Sequence, residues 1–205
     1  MKNKICYVVT VPVTIRAFFI PQLKYLSKHG YDVTVICSDD KKIEAELGDL
    51  IRYIPVDIPR GISIGGSIRA IKELKKIFVR EKFDLIQYST PNAALYASIA
   101  AKRAGCEIRN YHLMGLRYLG AKCIGRFILK EIEQIACYNS TSIECVSKSN
   151  LNLAINEKLF KSEKATVVWN GSSGGVDLKR FDYNKREIWR NTLRSELGYC
   201  DSDFI

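Results

Sequence analysis

Seven short runs rich in β-branched and apolar residues punctuate the chain, at Ile5–Thr10, Val33–Cys37, Tyr53–Val56, Leu85–Ser89, Ile108–Tyr111, Ser142–Val146 and Thr166–Trp169. Most are continuous apolar stretches rather than alternating ones, the pattern of strands covered on both faces. Helical spacings fall between them. Ile68, Ile71, Leu74, Ile77 and Phe78 share one face of a segment ending near Arg80. Thr90-Pro91 opens a second helix, with Thr90 as its cap, and Gly105 stops it; a third runs from about Ala121 to Tyr138. Asp182–Gly198 reads as a charged helix, and Asp201–Ile205 as the opening of a further strand. This alternation predicts right-handed crossovers and a Rossmann-like α/β fold, a doubly wound and mainly parallel sheet.

Composition narrows the function classes. The 205 residues suffice for a buried core, and 47% hydrophobic with 26% charged residues is the balance of a globular chain. No apolar run is long enough to cross a bilayer. Residues Met1–Thr10 hold a strand-length apolar stretch without a small-residue cleavage site, so they read as a first buried strand rather than a secretory signal. The seven cysteines are scattered, with no Cys-x-x-Cys pair, which predicts reduced, buried thiols in a cytoplasmic protein. With only His29 and His112 as histidines, no metal is expected, and no resident cofactor either.

The net charge of +10 admits nucleic acid, an anionic membrane or a phosphorylated small molecule as partner. No RRM, KH, helix-turn-helix or zinc-finger pattern accompanies it, so nucleic acid is the weakest of these. Between Ile108 and Lys130 lie Arg109, Arg117, Lys122, Arg126 and Lys130 with no acidic residue. That run reads either as a solvated basic face or as a patch for an anionic partner. Lys122, Arg126 and Lys130 recur at every fourth residue along one helix face. Ile124, Phe127, Ile128 and Leu129 on the same helix are expected to pack mostly into the core.

In such sheets ligands bind beyond the carboxyl ends of the strands. The first such loop, Thr10–Ile20, has no glycine and therefore neither a dinucleotide fingerprint nor a P-loop. It offers Thr14 and Arg16 ahead of Pro21, a pairing that suits an anionic or polyhydroxyl ligand, with plain surface charge as the alternative for Arg16. The second, Tyr111–Arg117, holds His112, Gly115 and Arg117. There the imidazole either contacts a ligand or caps the strand end, and Gly115 lets backbone approach a ligand. The third, Trp169–Phe181, is glycine-rich and contains Asn170 and Gly171. It reads as a ligand loop or as a hinge.

Four stretches in order carry a resemblance. They are Thr14–Leu23 leading into Lys28–Ile36, the run Tyr111-His112-Leu113-Met114-Gly115-Leu116-Arg117-Tyr118, the segment Ile143–Ser149, and Asn170–Phe181. Together they resemble the N-terminal domain of family-4 glycosyltransferases, one half of the GT-B fold. The resemblance implies a domain over residues 1–181, and in 182–205 a linker helix and the start of a C-terminal donor domain. It implies transfer of a sugar from a nucleotide diphosphate donor to an acceptor hydroxyl, with retention of configuration and without a metal, in bacterial polysaccharide or glycolipid synthesis. His112 would then contact the transferred sugar. Thr14, Arg16, Gly115 and Arg117 would face the acceptor, and Asn170 and Gly171 would border the hinge. Lys122, Arg126 and Lys130 would meet the inner face of an anionic membrane, where the acceptor is often a lipid-linked sugar. The chain alone would be inactive. A sugar-nucleotide epimerase half and a basic nucleic-acid-binding domain stand as the alternatives.

Overall fold

Each of the seven apolar runs forms a strand in the computed structural model, which describes residues 3–61 and 63–204. Met1, Lys2, Ile62 and Ile205 lie outside the described residues, and with them the start of the segment weighed as a signal and the last residue of the strand expected at Asp201–Ile205. The strands are β1 (Lys4–Val8), β2 (Asp32–Cys37), β3 (Ile51–Pro55), β4 (Leu85–Tyr88), β5 (Ile108–Leu113), β6 (Ser142–Cys145) and β7 (Ala165–Thr166). They form one sheet in the order β3-β2-β1-β4-β5-β6-β7, and every pairing is parallel. The fold is therefore the expected α/β doubly wound one. β7 is shorter than its apolar run, and Val168 and Trp169 beyond it are exposed.

The helices are α1 (Pro12–Thr14), α2 (Ile20–Lys28), α3 (Ile43–Leu47), α4 (Ile64–Glu81), α5 (Pro91–Arg103), α6 (Cys123–Asn139), α7 (Lys148–Asn156) and α8 (Arg186–Leu197). A π-helical turn, Ile15–Phe19, joins α1 to α2. Strand alternation divides the core in two. Cys6 and Val8 of β1 face the side covered by α4, α5 and α6, where Leu74, Phe78 and the buried alanines of α5 close the larger cluster. Ile5, Tyr7 and Val9 face the side covered by α2 and α3, with Phe19, Leu23, Ile43 and Leu47.

Three local expectations give way to packing. Thr90 occupies the cap position of α5, but its hydroxyl bonds Thr10 instead of the helix N–H groups. In α6 the buried residues lie in the second half, at Glu133, Ala136, Cys137 and Asn139. In its first half Leu129 packs against the core, while Ile124 and Phe127 remain 76% and 66% exposed and Ile128 is exposed too. Finally, Asp201–Phe204 forms no strand: the Asp203 carboxylate accepts the Cys200 N–H and Arg194 donates to the Cys200 and Asp203 carbonyls, which folds a turn.

All seven cysteines are free, with Cys123 and Cys200 exposed and the rest buried. Among the described residues no helix is long and apolar enough to cross a membrane. Contacts group the chain into a unit ending at Gly174 and a second, small one from Gly175 that holds α8, none of whose residues is buried.

Candidate functional site

The winding reverses between β1 and β4, so the crevice at their carboxyl ends is where this topology places a ligand. Two threonines hold that crevice together. Thr10, just past β1, donates its N–H to Thr90 Oγ1 at 3.2 Å, and the two hydroxyls lie 2.8 Å apart. Thr90 has φ +71°, a left-handed conformation that costs a β-branched residue about 1–3 kcal/mol and is found where function demands it. In the sequence Thr10 ends the first strand run and Thr90 is the cap of a helix, and neither is among the candidate site residues. Nothing in a Thr before Pro announces a positive φ.

His112 sits in β5 on the face opposite the larger cluster, at the register position of Glu144 in β6. It is buried, and its ring meets the edge of Phe19 with centroids 5.5 Å apart. Neither ring nitrogen has a hydrogen-bond partner among the described residues. Burial pushes its pKa below the ordinary histidine value, against the opposing pull of Glu144. A neutral imidazole with both nitrogens unspent is poised to bond a ligand hydroxyl, since an unpaired buried polar group costs about 1–3 kcal/mol. The same sheet face carries a polar row: Asn110 donates to Gln87 Oε1 at 3.1 Å and accepts from Ser142 Oγ at 2.9 Å.

The three loops singled out by sequence meet here. The first reaches His112 through Phe19. The third reaches the first at Gly174, where an added Cβ would lie 3.1 Å from the Phe18 carbonyl oxygen. Gly171 threads still more tightly past the end of β6. It has φ +84°, and an added Cβ would stand 2.3 Å from the Val146 carbonyl oxygen, which accepts the Ser172 N–H at 2.7 Å. Asn170 is exposed beside it, and Gly115 is exposed after β5.

The other sequence-chosen residues divide. Thr14 is buried in α1. Arg16 is committed to protein carboxylates: it holds Asp40 through both terminal nitrogens at 2.9 and 3.0 Å and Glu46 through Nε at 2.6 Å. Its guanidinium keeps the Asp40 carboxyl down at about 2. Arg16 thus braces the first loop against the segment after β2. Arg117 lies in a 3₁₀ turn, Arg117–Gly120, and makes no ion pair among the described residues. Lys122 is likewise unpaired, whereas Arg126 and Lys130 both bind Glu157, at 3.4 and 2.5 Å. No group of three or more His, Cys, Asp or Glu suited to a metal gathers among the described residues.

Known proteins are similar to this chain in sequence and in fold. The family model described as glycosyl transferase 4-like matches residues 4–147. A capsular polysaccharide biosynthesis glycosyltransferase, CapM of Staphylococcus aureus, is 33% identical over 97% of this chain and 53% of its own length. The Escherichia coli UDP-Gal:alpha-D-GlcNAc-diphosphoundecaprenol alpha-1,3-galactosyltransferase is 24% identical over 88% of this chain and 46% of its own. The chain spans about half the length of the curated relatives it matches. Among solved structures, a glycosyltransferase of Rickettsia africae superposes with a TM-score of 0.66 at 15% identity, over 98% of this chain and 51% of that one. A UDP-N-acetylglucosamine 2-epimerase of Rickettsia bellii does so at 0.64 and 14%, over 98% and 52%, a likeness of fold alone. The match begins at β1 and runs past His112 to the end of β6, through all the loops that build the crevice except the last, and this chain belongs to the glycosyl transferase 4-like family.

Proposed function

We propose that this chain is the acceptor-side half of a glycosyltransferase. It moves a sugar from a nucleotide diphosphate sugar onto an acceptor hydroxyl in the synthesis of a bacterial surface polysaccharide or glycolipid. The observation that carries the reading is His112: a buried, neutral imidazole with two unpartnered nitrogens at the crevice, in a chain of this family. It bonds a hydroxyl of the sugar in transit. The Thr10–Thr90 pair and the tight Gly171 loop fix the walls around it, so the acceptor hydroxyl is held close to the anomeric carbon. Departing diphosphate is stabilised by donors outside these residues, so the chain alone has no turnover. Transfer retains configuration and asks no metal of this chain.

The acceptor is a lipid-linked sugar, as the activity of the Escherichia coli relative supports, and the donor nucleotide is uridine diphosphate on the same ground. The protein works in the cytoplasm, peripheral at the inner face of the membrane. Of the basic run, Lys122 carries that contact together with the exposed Ile124 and Phe127, since Arg126 and Lys130 are engaged with Glu157. Sedimentation with anionic but not neutral vesicles checks it. An epimerase needs an acid and a base at the crevice. In the three loops the one carboxylate is Asp177, and it is spent on the N–H groups of Lys179 and Arg180.

The test uses a panel of nucleotide diphosphate sugars. Turnover by the 205-residue chain would refute the half-enzyme reading. In a longer natural chain containing it, His112→Leu should lose tenfold or more in turnover while keeping its melting temperature, because leucine loses no buried partner. Unchanged turnover would make His112 a packing residue.

A further inference from the structure

Between α4, α5 and α6, on the sheet face away from His112, runs a groove of about 380 Å³. Its walls are Leu95 and Tyr96 of α5 and Leu129 and Ile132 of α6, with Arg117 at one side. The polar groups along it are consumed internally. Ser67 donates to the Tyr96 hydroxyl at 2.9 Å, and Asn92 donates to the Pro59 and Gly61 carbonyls at 2.8 Å. What remains is an apolar channel beside one cation that has no ion pair among the described residues.

Two further features bear on the occupant. Gly125 lines the groove from within α6, and an added Cβ there would meet nothing within 4 Å. A glycine inside a helix costs about 1 kcal/mol against alanine. Here the missing side chain is what leaves the wall open. Apolar side chains also stand in solvent on the first two turns of both flanking helices: Ile64 and Ile68 on α4, Ile124 and Phe127 on α6. An apolar channel, an unpaired guanidinium and exposed apolar turns on either side match a molecule with an apolar chain and an anionic head.

We infer that this groove receives the first isoprenoid units of a polyprenyl diphosphate, with Arg117 on the diphosphate and the chain between Leu95, Tyr96, Leu129 and Ile132. The inference rests on the lipid-linked acceptor reading above. It adds a seat for the lipid at a place apart from the sugar-contacting crevice. The guanidinium bonds the diphosphate oxygens in the bidentate manner that such groups favour.

The probe is farnesyl diphosphate below its micellar concentration, titrated into the chain by calorimetry, with farnesol and inorganic diphosphate as controls. Farnesyl diphosphate should bind at least tenfold more tightly than either control. Gly125→Leu, which adds a branched apolar side chain at a groove-lining position where a Cβ meets nothing within 4 Å, should weaken it tenfold or more with the melting temperature unchanged or raised. Gly125→Ala, too small to fill the groove, should retain binding. Arg117→Gln should abolish the preference for farnesyl diphosphate over farnesol. Absence of binding, or equal binding by Gly125→Leu and the unmodified chain, overturns the inference. If a longer, active chain transfers sugar to a lipid-linked acceptor equally well with Gly125→Leu, the groove is refuted and the transferase stands. If the groove binds farnesyl diphosphate in an enzyme that takes only soluble acceptors, the lipid-acceptor reading fails and the groove stands.

Discussion

Glu133 is the residue whose substitution reports most directly on how this core is held. It lies in α6, buried, with its carboxylate accepting a hydrogen bond from the Tyr111 hydroxyl of β5. Burial raises its pKa from 4.5 to about 7, although the Tyr111 bond pulls the other way. The folded state therefore holds a proton that the unfolded chain has already released between those values. The stability tied to that proton is fully present below about pH 4.5 and is lost as pH climbs through 7, after which the loss is constant. The interval corresponds to about 3 kcal/mol. Glu133→Gln keeps an oxygen to accept from Tyr111 and cannot ionise. Relative to the unmodified chain it should gain less than about 1 kcal/mol at pH 5 and about 3 kcal/mol at pH 8.5. Urea unfolding followed by circular dichroism at both pH values reads the difference, and comparing the two variants cancels the other titrating groups. A Gln variant less stable at pH 8.5 than the unmodified chain would mean that the carboxylate is ionised and well compensated. The burial argument would then be wrong.

Tyr118 is fully buried and its hydroxyl has no partner among the described residues, so Tyr118→Phe should hold or raise stability by up to about 1–3 kcal/mol in the same unfolding experiment. A clear loss would reveal a bond to that hydroxyl. Gly171→Ala meets both a left-handed backbone and the Val146 carbonyl oxygen, so it should cost about 2 kcal/mol or more and open the third loop to limited proteolysis; an unchanged digestion pattern would count against the close approach.

The sheet is legible in the sequence because most strands are continuous apolar runs and each crossover has few alternatives. Pro12–Phe19 has the look of a loop in sequence yet is helical, and Ile15, Phe19 and Leu23, all fully buried, recur at the four-residue spacing that marks one helix face. The absence of glycine there excludes a phosphate loop and says nothing against helix. His112 stands out in sequence by following the run Ile108–Tyr111, although the strand extends over it to Leu113, and its lack of partners among the described residues comes from packing alone. Arg16 shows the opposite limit. Its charge invited a ligand, while the acids that claim it, Asp40 and Glu46, are distant in sequence and meet it only in the fold. Thr90 carries strain that no residue type announces.

The polar row of Gln87, Asn110 and Ser142 gives the sheet an uneven underside. Over β1 to β3 that face is apolar and sealed by α2 and α3; over β4 to β6 it is polar, with Gln87 and His112 buried and Asn110, Ser142 and Glu144 half-buried. An apolar face on parallel strands invites other chains to stack on it during folding, a route to aggregation. Here the polar part hydrogen-bonds sideways, strand to strand, between Gln87, Asn110 and Ser142. Whatever does come to lie on it must answer amide with amide and hydroxyl with hydroxyl, so the face discriminates among partners by pattern rather than by grease.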